Sequence, residues 1–489
     1  MYFINKKSIN FLNKILCFIF FSNLLLSAYV VGGRWDLNQQ IAYAFRLIDG
    51  LSIYSNGQTD LFFPSSPYFP GVGYLSYFLS KLGLDNIYFN EIIMLFVAVF
   101  VSFLFFYLIK KLTHKLYPTI DKKIVLFFLT LIFSLFFNEY FLYVREFKPD
   151  TILLVCGLLG LFILDIDKKP TKLTHIYIII LLFVSTYFKQ SFFLIYILFY
   201  LLIFFNKKIR IGEKIFTMSI LLLPGMVALF LIFKIENLYY YTIEIMGQHP
   251  ILDLDSIIYY FGTSFIFNVF FCLSIVFFLI IRIRNLQNIS IESIYFLFSI
   301  FWFIFSCVAS LKVGGNRGNI EVGLIVFSPY VIYSFDFLIS KFYNKNIFKI
   351  TSITLIMVCM VYYSFNFYSN CSEYYQKYND DRSSIHFLSS KFKGKNAFID
   401  GDTYIIAKAS GLNILTESET VGHFNNVPNY DFTKLKNAIN DKIYDIIFLK
   451  NELSNLSDKQ INKSIYENYK FYNDSDLPKN LFKKILIVK

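Results

Sequence analysis

Long apolar blocks recur along this chain, separated by short basic segments, and that pattern constrains its fold more than any other feature. An apolar run of ~18 residues or more matches the hydrocarbon core of a bilayer when helical. The blocks at 11–31, 91–109, 124–142, 151–166, 175–187, 191–205, 215–234, 258–281, 293–311, 320–340 and 347–367 are the helix candidates. They predict a membrane α-helical protein with about eleven transmembrane helices over 1–367. The first run is long and lacks a small-x-small cleavage pattern near its end, so a retained first helix is expected rather than a removed signal.

The basic residues then read as topology rather than as a nucleic-acid surface, despite a formal charge of +12. Most lie between apolar blocks. With the N-terminus inside, the inner segments collect Lys6 and Lys7, Lys110 to Lys123, Lys168 to Lys172, Lys207 to Lys214, Arg282 and Arg284, and Lys341 to Lys349. The pair 175–187 and 191–205 is short for two spans. Merging it into one interrupted helix would scatter these basic segments over both sides, so two helices broken near Lys189 are expected.

The outer face holds the unusual segments. They are the long first loop 32–90, the turn Arg145-Glu-Phe-Lys-Pro-Asp150, the turn around Lys189, the Tyr-rich loop 235–257 and the Gly-rich turn 312–319. Residues 368–489 are also outside. There, runs at Asn396–Asp400, Ile443–Leu449 and Leu481–Val488 read as strands, with helical patterns at 383–392 and 432–441 between them. That alternation predicts a small soluble α/β domain. It holds no phosphate-cradling glycine motif.

Cysteine and histidine offer little. Five of the six cysteines lie within apolar blocks, no CxxC occurs and the histidines are scattered, so neither a disulfide framework nor a metal centre is indicated. His249 with Asp253 and Asp255 matches no strong metal spacing. No cofactor is certain; a divalent metal is compatible with the sequence but not indicated by it.

Within the first loop, Gly32-Gly-Arg-Trp-Asp36 follows the first block directly. Apolar residues at 37, 41, 44, 45 and 48 predict an amphipathic helix in the membrane interface. A second should follow Pro70 through Tyr74, Leu75, Phe78 and Leu82. Between them lies the proline-aromatic turn Phe62 to Pro70. Asp36 reads both as a helix N-cap and as a general base at the membrane boundary, and the two roles are compatible.

Arg34-Trp-Asp36, Tyr68-Phe-Pro-Gly71, Arg145 to Asp150, Phe188-Lys-Gln190 and Gly314-Gly-Asn316 occur in that order and on one side. In this the region 1–367 resembles the GT-C superfamily of membrane glycosyltransferases, in the branch of the protein mannosyltransferases and aminoarabinose transferases. It departs from many relatives in having Leu37 after Asp36 rather than a second acid, and Ser65 and Ser66 ahead of the proline turn rather than Lys or His. The resemblance implies a polyprenyl-phosphate-linked sugar as donor, a cell-envelope acceptor, and inverting single displacement at the outer face of the cytoplasmic membrane. Asp36 would be the catalytic base. Arg34, Arg145, Lys148, Asp150, Lys189, Gln190 and Arg317 would bind the donor. A lipid phosphate already leaves readily, so one carboxylate suffices, unlike the opposed pair of a glycoside hydrolase. Three blander roles compete with these. Lys189 would merely snorkel from a helix end, Arg145 and Asp150 would form a structural pair, and the glycine turn would only connect two helices. A transporter, flippase or polymerase of lipid-linked saccharides is the rival reading.

Overall fold

The computed structural model describes residues 35–50, 53–54, 61, 69–84, 86–135, 147–233, 235, 238–248, 251–255, 275–276, 278–280, 290–311, 317–341, 379–399, 403–417, 431–449, 459–478, 481 and 484–489, with a few isolated positions elsewhere. Expected helices 11–31, 258–281 and 347–367 fall almost wholly outside the described residues.

Among the described residues, three helices are long and apolar enough to cross a membrane: Ile87–Leu116, the helix from Ile211 to Ile232, and Ile291–Ser310. Shorter apolar helices occupy Asp150–Ile163, Lys172–Phe188 and Gln190–Phe204. The architecture fits a helical membrane protein, but the expectation of eleven full spans is not met: the described residues carry three, and the shorter helices among them have physical reasons for their length. Lys189 adopts extended backbone between Lys172–Phe188 and the next helix, confirming the expected break. The block 320–340 is also two helices, Arg317–Ile325 and Ser328–Lys341, parted at Val326–Phe327. The break is stabilised because the buried Tyr295 hydroxyl donates to the Val326 carbonyl at 2.6 Å.

Small residues set how closely the helices approach. A Cβ on Gly160 would lie 1.9 Å from Phe199 Cε1, so Asp150–Ile163 and Phe193–Phe204 touch through a glycine. Pro224 interrupts the hydrogen-bond ladder of Ile211–Phe233, and Gly225 beside it receives the Tyr196 hydroxyl, 2.3 Å from where a Cβ would stand.

Helices form at both expected places in the first loop, as Trp35–Ile48 and Gly71–Lys81. The first buries Leu37, Ile41, Ala44 and Phe45 as its spacing predicts, but it also buries Gln40, Ala42 and Tyr43 and exposes Ile48, so its middle is enclosed on every side rather than on one face. The second buries only part of its expected face. Its buried face is Gly71, Val72, Gly73, Ser76 and Ser80, while Phe78 and Leu82 are exposed. Two cohesive contacts explain this. Gly73 lets the helix press on Tyr43 Cβ, 3.2 Å from its own would-be Cβ. Asn90, fully buried, accepts from Ser76 Oγ at 2.6 Å and donates to Ser80 Oγ at 2.8 Å, tying the helix to Ile87–Leu116. Phe78 and Leu82 thus face outward, while Tyr74, Leu75 and Leu79 stay half-buried against the core.

The C-terminal part forms a five-stranded sheet: β1 Asn396–Ile399, β2 Asn413–Glu417, β3 Ile446–Phe448, β4 Tyr469–Phe471 and β5 Ile485–Val488. The order is β2-β1-β3-β5-β4, with β1 parallel to β2 and β3, and β5 antiparallel to β3 and β4. The three expected strands are present, each shorter than its apolar run; β2 and β4 are additional. Short helices Tyr404–Ala409 and Thr433–Asn440 connect strands. The sheet docks on the first loop: Lys408 pairs with Asp49 at 3.1 Å, and Thr416 Oγ1 on the edge strand donates to the Leu61 carbonyl at 2.7 Å.

Candidate functional site

The site grows from two helix breaks. At the first, Phe147 holds a positive φ of 49°, uncommon for a bulky residue, and turns the chain into Lys148-Pro149. Pro149 stands at the N-cap of Asp150–Ile163, where its missing N–H removes no helix bond. Asp150 then falls in the first turn, where the helix dipole favours its charge. At the second break, the Lys189 N–H still bonds to Ser185 O, closing one helix, while its carbonyl accepts from Phe192 N, opening the next.

The Lys189 ammonium donates to the Asp150 carboxylate. The two side chains are 13% and 9% exposed, so the pair is largely out of water. Lys148 beside it is buried as well. Two lysines and one carboxylate therefore lie within three consecutive residues and one facing turn, all largely out of water. Such a turn offers amines to an anionic group, with Asp150 offsetting the charge of Lys189.

Other segments converge on the same place. Gly71, which opens the second interfacial helix, sits where a Cβ would lie 2.9 Å from both the Tyr187 carbonyl and Phe188 Cγ. Only glycine permits that approach. The Tyr74 and Tyr187 rings pack at 5.8 Å, and Tyr43 and Tyr54 at 5.6 Å. Tyr54 is wholly buried; desolvation, with Tyr43, Tyr74 and Tyr187 adding, pushes its phenol well above the usual range. It serves as a neutral packing and hydrogen-bonding group rather than an acid. Gln190 Nε2 reaches the Thr242 carbonyl at 3.5 Å, a long contact to the π-helical segment Tyr240–Ile245 within the Tyr-rich loop.

Of the sequence-predicted residues, Lys148, Asp150, Lys189 and Gln190 come together in this site. Lys189 does not snorkel: its amine is paired and mostly buried. Asp150 pairs with Lys189; Arg145, its other suggested partner, lies outside the described residues, as do Arg34 and the Gly314-Gly315 turn. Asp36 is the second residue of Trp35–Ile48, one turn-step inside the helix rather than at its N-cap, and its side chain is outside the description. Arg317 begins Arg317–Ile325, again with the side chain outside it. His249 is outside too, and no cluster of three metal-ligating side chains occurs among the described residues. Sequence reasoning missed Tyr54, Tyr74, Tyr187 and Thr242. A tyrosine repeated among phenylalanines gives no periodic signal, and only the folded loop assembles them. Compared with protein-family models and with curated proteins, the chain finds no match in either.

Proposed function

We propose that this protein is a polytopic membrane glycosyltransferase taking its sugar from a polyprenyl-phosphate carrier. The observation that carries this reading is the convergence of Lys148, Asp150, Lys189 and Gly71, drawn from separate segments, on one largely buried, charged turn beside the helices of the first loop. A lipid-linked phosphate meets a protein at that depth. Lys148 would hold the phosphate, with the Lys189–Asp150 pair fixing the turn. The acceptor hydroxyl oxygen attacks the anomeric carbon, the bond from that carbon to the phosphate oxygen breaks, and the carrier leaves as its phosphate. The hydroxyl proton passes to Asp36, on the first interfacial helix. In this reading the N-terminus is cytoplasmic, the C-terminal domain lies outside the cytoplasmic membrane, and a cell-envelope molecule is the acceptor.

The test is release of polyprenyl phosphate and transfer of sugar by purified protein given polyprenyl-phosphate sugars. Asp36→Asn should lower transfer ~10²–10⁴-fold, with stability changed by less than ~1 kcal/mol, the size of a first-turn charge–dipole contact. Near-normal transfer by Asp36→Asn would remove that residue as base. A transporter reading has its own support, because helices broken at a buried ion pair also build substrate sites in transporters. Movement of intact lipid-linked saccharide across vesicles without transfer would favour it and overturn the transferase.

A further inference from the structure

On the 30-residue helix Ile87–Leu116, the exposed positions are Phe89, Phe96, Phe100, Phe103, Tyr107, Lys111 and Lys115. Their spacing of three, four or seven residues puts them on one line along one face. The line is chemically divided: five aromatic rings, then two amines. From Phe89 to Tyr107 a helix rises ~27 Å, close to the ~30 Å thickness of a bilayer's hydrocarbon core. With the rings in that core, Lys111 and Lys115 stand at the depth of lipid headgroups. Lys111 Nζ lies 5.5 Å from the centre of the Tyr107 ring and 5.8 Å from that of Phe162, on the neighbouring helix. Lys115 Nζ lies 5.7 Å from the centre of Phe162 and donates to the Leu161 carbonyl at 3.2 Å. Phe162 thus gathers both amines into one cationic corner, held over an apolar floor, at the foot of an aromatic track.

We infer that this face is a binding site for an anionic phospholipid, whose phosphate sits between Lys111 and Lys115 while an acyl chain lies along Tyr107, Phe103 and Phe100. Charge complementarity selects the headgroup, and the collinear rings select a molecule with a long apolar tail. A free phosphate would use only the corner. The inference rests on the membrane reading and is independent of glycosyl transfer.

Nanodiscs of pure phosphatidylcholine and of phosphatidylcholine with phosphatidylglycerol, at matched salt, provide the test. Bound lipid is counted by native mass spectrometry and stability by thermal unfolding. The wild type is expected to retain phosphatidylglycerol and unfold at higher temperature in its presence. Lys111→Gln should weaken retention about five-fold, the worth of one surface lysine at an anionic membrane, and Lys111→Arg should preserve it. Phe100→Ala should also weaken retention, whereas inorganic phosphate should not displace the lipid. Lys208→Gln, exposed on the basic loop after Phe193–Phe204 and without a ring contact to this face, should leave retention unchanged. Equal losses in Lys208→Gln and Lys111→Gln would mean general attraction to a basic surface and overturn the site. No preference in the wild type would overturn it with the membrane reading intact, and failure of the protein to enter nanodiscs would overturn both.

Discussion

Removing one member of the Lys189–Asp150 pair is the perturbation with the largest effect that the structure specifies. Both side chains are nearly out of water and each supplies the other's opposite charge. Lys189→Met leaves a buried carboxylate without its ion pair, and Asp150→Leu leaves a buried amine without its own. Stripping one partner from such a pair costs about 3–5 kcal/mol. Removing both into apolar side chains of similar length, Asp150→Leu with Lys189→Met, should be close to neutral or stabilising by up to ~4 kcal/mol. The double variant is therefore expected to be more stable than either single one, with a coupling of at least ~3 kcal/mol. Reversible unfolding of the four proteins in one detergent measures this. Additive effects, or single losses under ~1 kcal/mol, would refute the buried pairing. This changes how the donor contact must be tested. From sequence, Lys189→Ala is expected to weaken donor use with the fold intact; the pairing implies that it weakens the fold as well. Lys148→Gln is the second probe of phosphate binding, because it removes an amine from the turn and leaves the Lys189–Asp150 pair in place.

Gly160→Ala should lower stability by ~1–3 kcal/mol, the cost of overpacking, because the new methyl would fall 1.9 Å from the Phe199 ring; Phe199→Leu should recover part of it in thermal unfolding. In the C-terminal domain, the Asp474 carboxylate accepts from the Tyr472 hydroxyl at 2.6 Å, from Asp476 N at 2.9 Å and from Lys391 at 3.2 Å, which holds its pKa down to about 2, the tyrosine contributing most. A lowered carboxylate pKa contributes stability that is complete above the unfolded value of 3.8 and lost as pH falls toward about 2. Hydrogen exchange at 469–488 should accelerate across that window, and Asp474→Asn should show no such acceleration. Reporter fusions at Lys111 and Lys208 should read cytoplasm and one at Lys489 the outer side; a cytoplasmic Lys489 would reverse the proposed orientation.

The apolar blocks made the membrane helices legible because length and hydrophobicity are summed along the chain. Their integrity was less so. Lys189 announced a break by its charge, whereas the parting at Val326–Phe327 carries no polar residue and depends on a hydroxyl from Tyr295, thirty-one positions away. The first helix of the loop formed where its period placed it but is enclosed on every side over 40–44, burial that an amphipathic period does not show. The second left Phe78 and Leu82 outside, since Gly73 and Asn90 fix its other side to its neighbours, and periodicity does not register a glycine contact. At the site, Lys148, Asp150 and Lys189 stood out as charges in short turns among apolar blocks, but which carboxylate met which amine is a property of the folded ends of three helices. Strands β2 and β4 were missed for the opposite reason: Asn413–Glu417 and Tyr469–Phe471 hold too few apolar residues to show a pattern before a neighbour pairs with them.

The clamp of the sheet on the first loop joins residues 359 positions apart, Asp49 and Lys408. A ribosome adding about 5–20 residues per second needs roughly 20–70 s to span that interval. Throughout that time Asp49 and the Leu61 carbonyl have been made but lack the partners that hold them in the finished protein. The loop that borders the candidate site is thus fastened last, by the end of the chain. A message ending between residues 368 and 407 would yield a protein with every apolar helix block but an unlatched first loop, so synthesis past Lys408 itself acts as the step that sets the loop in place.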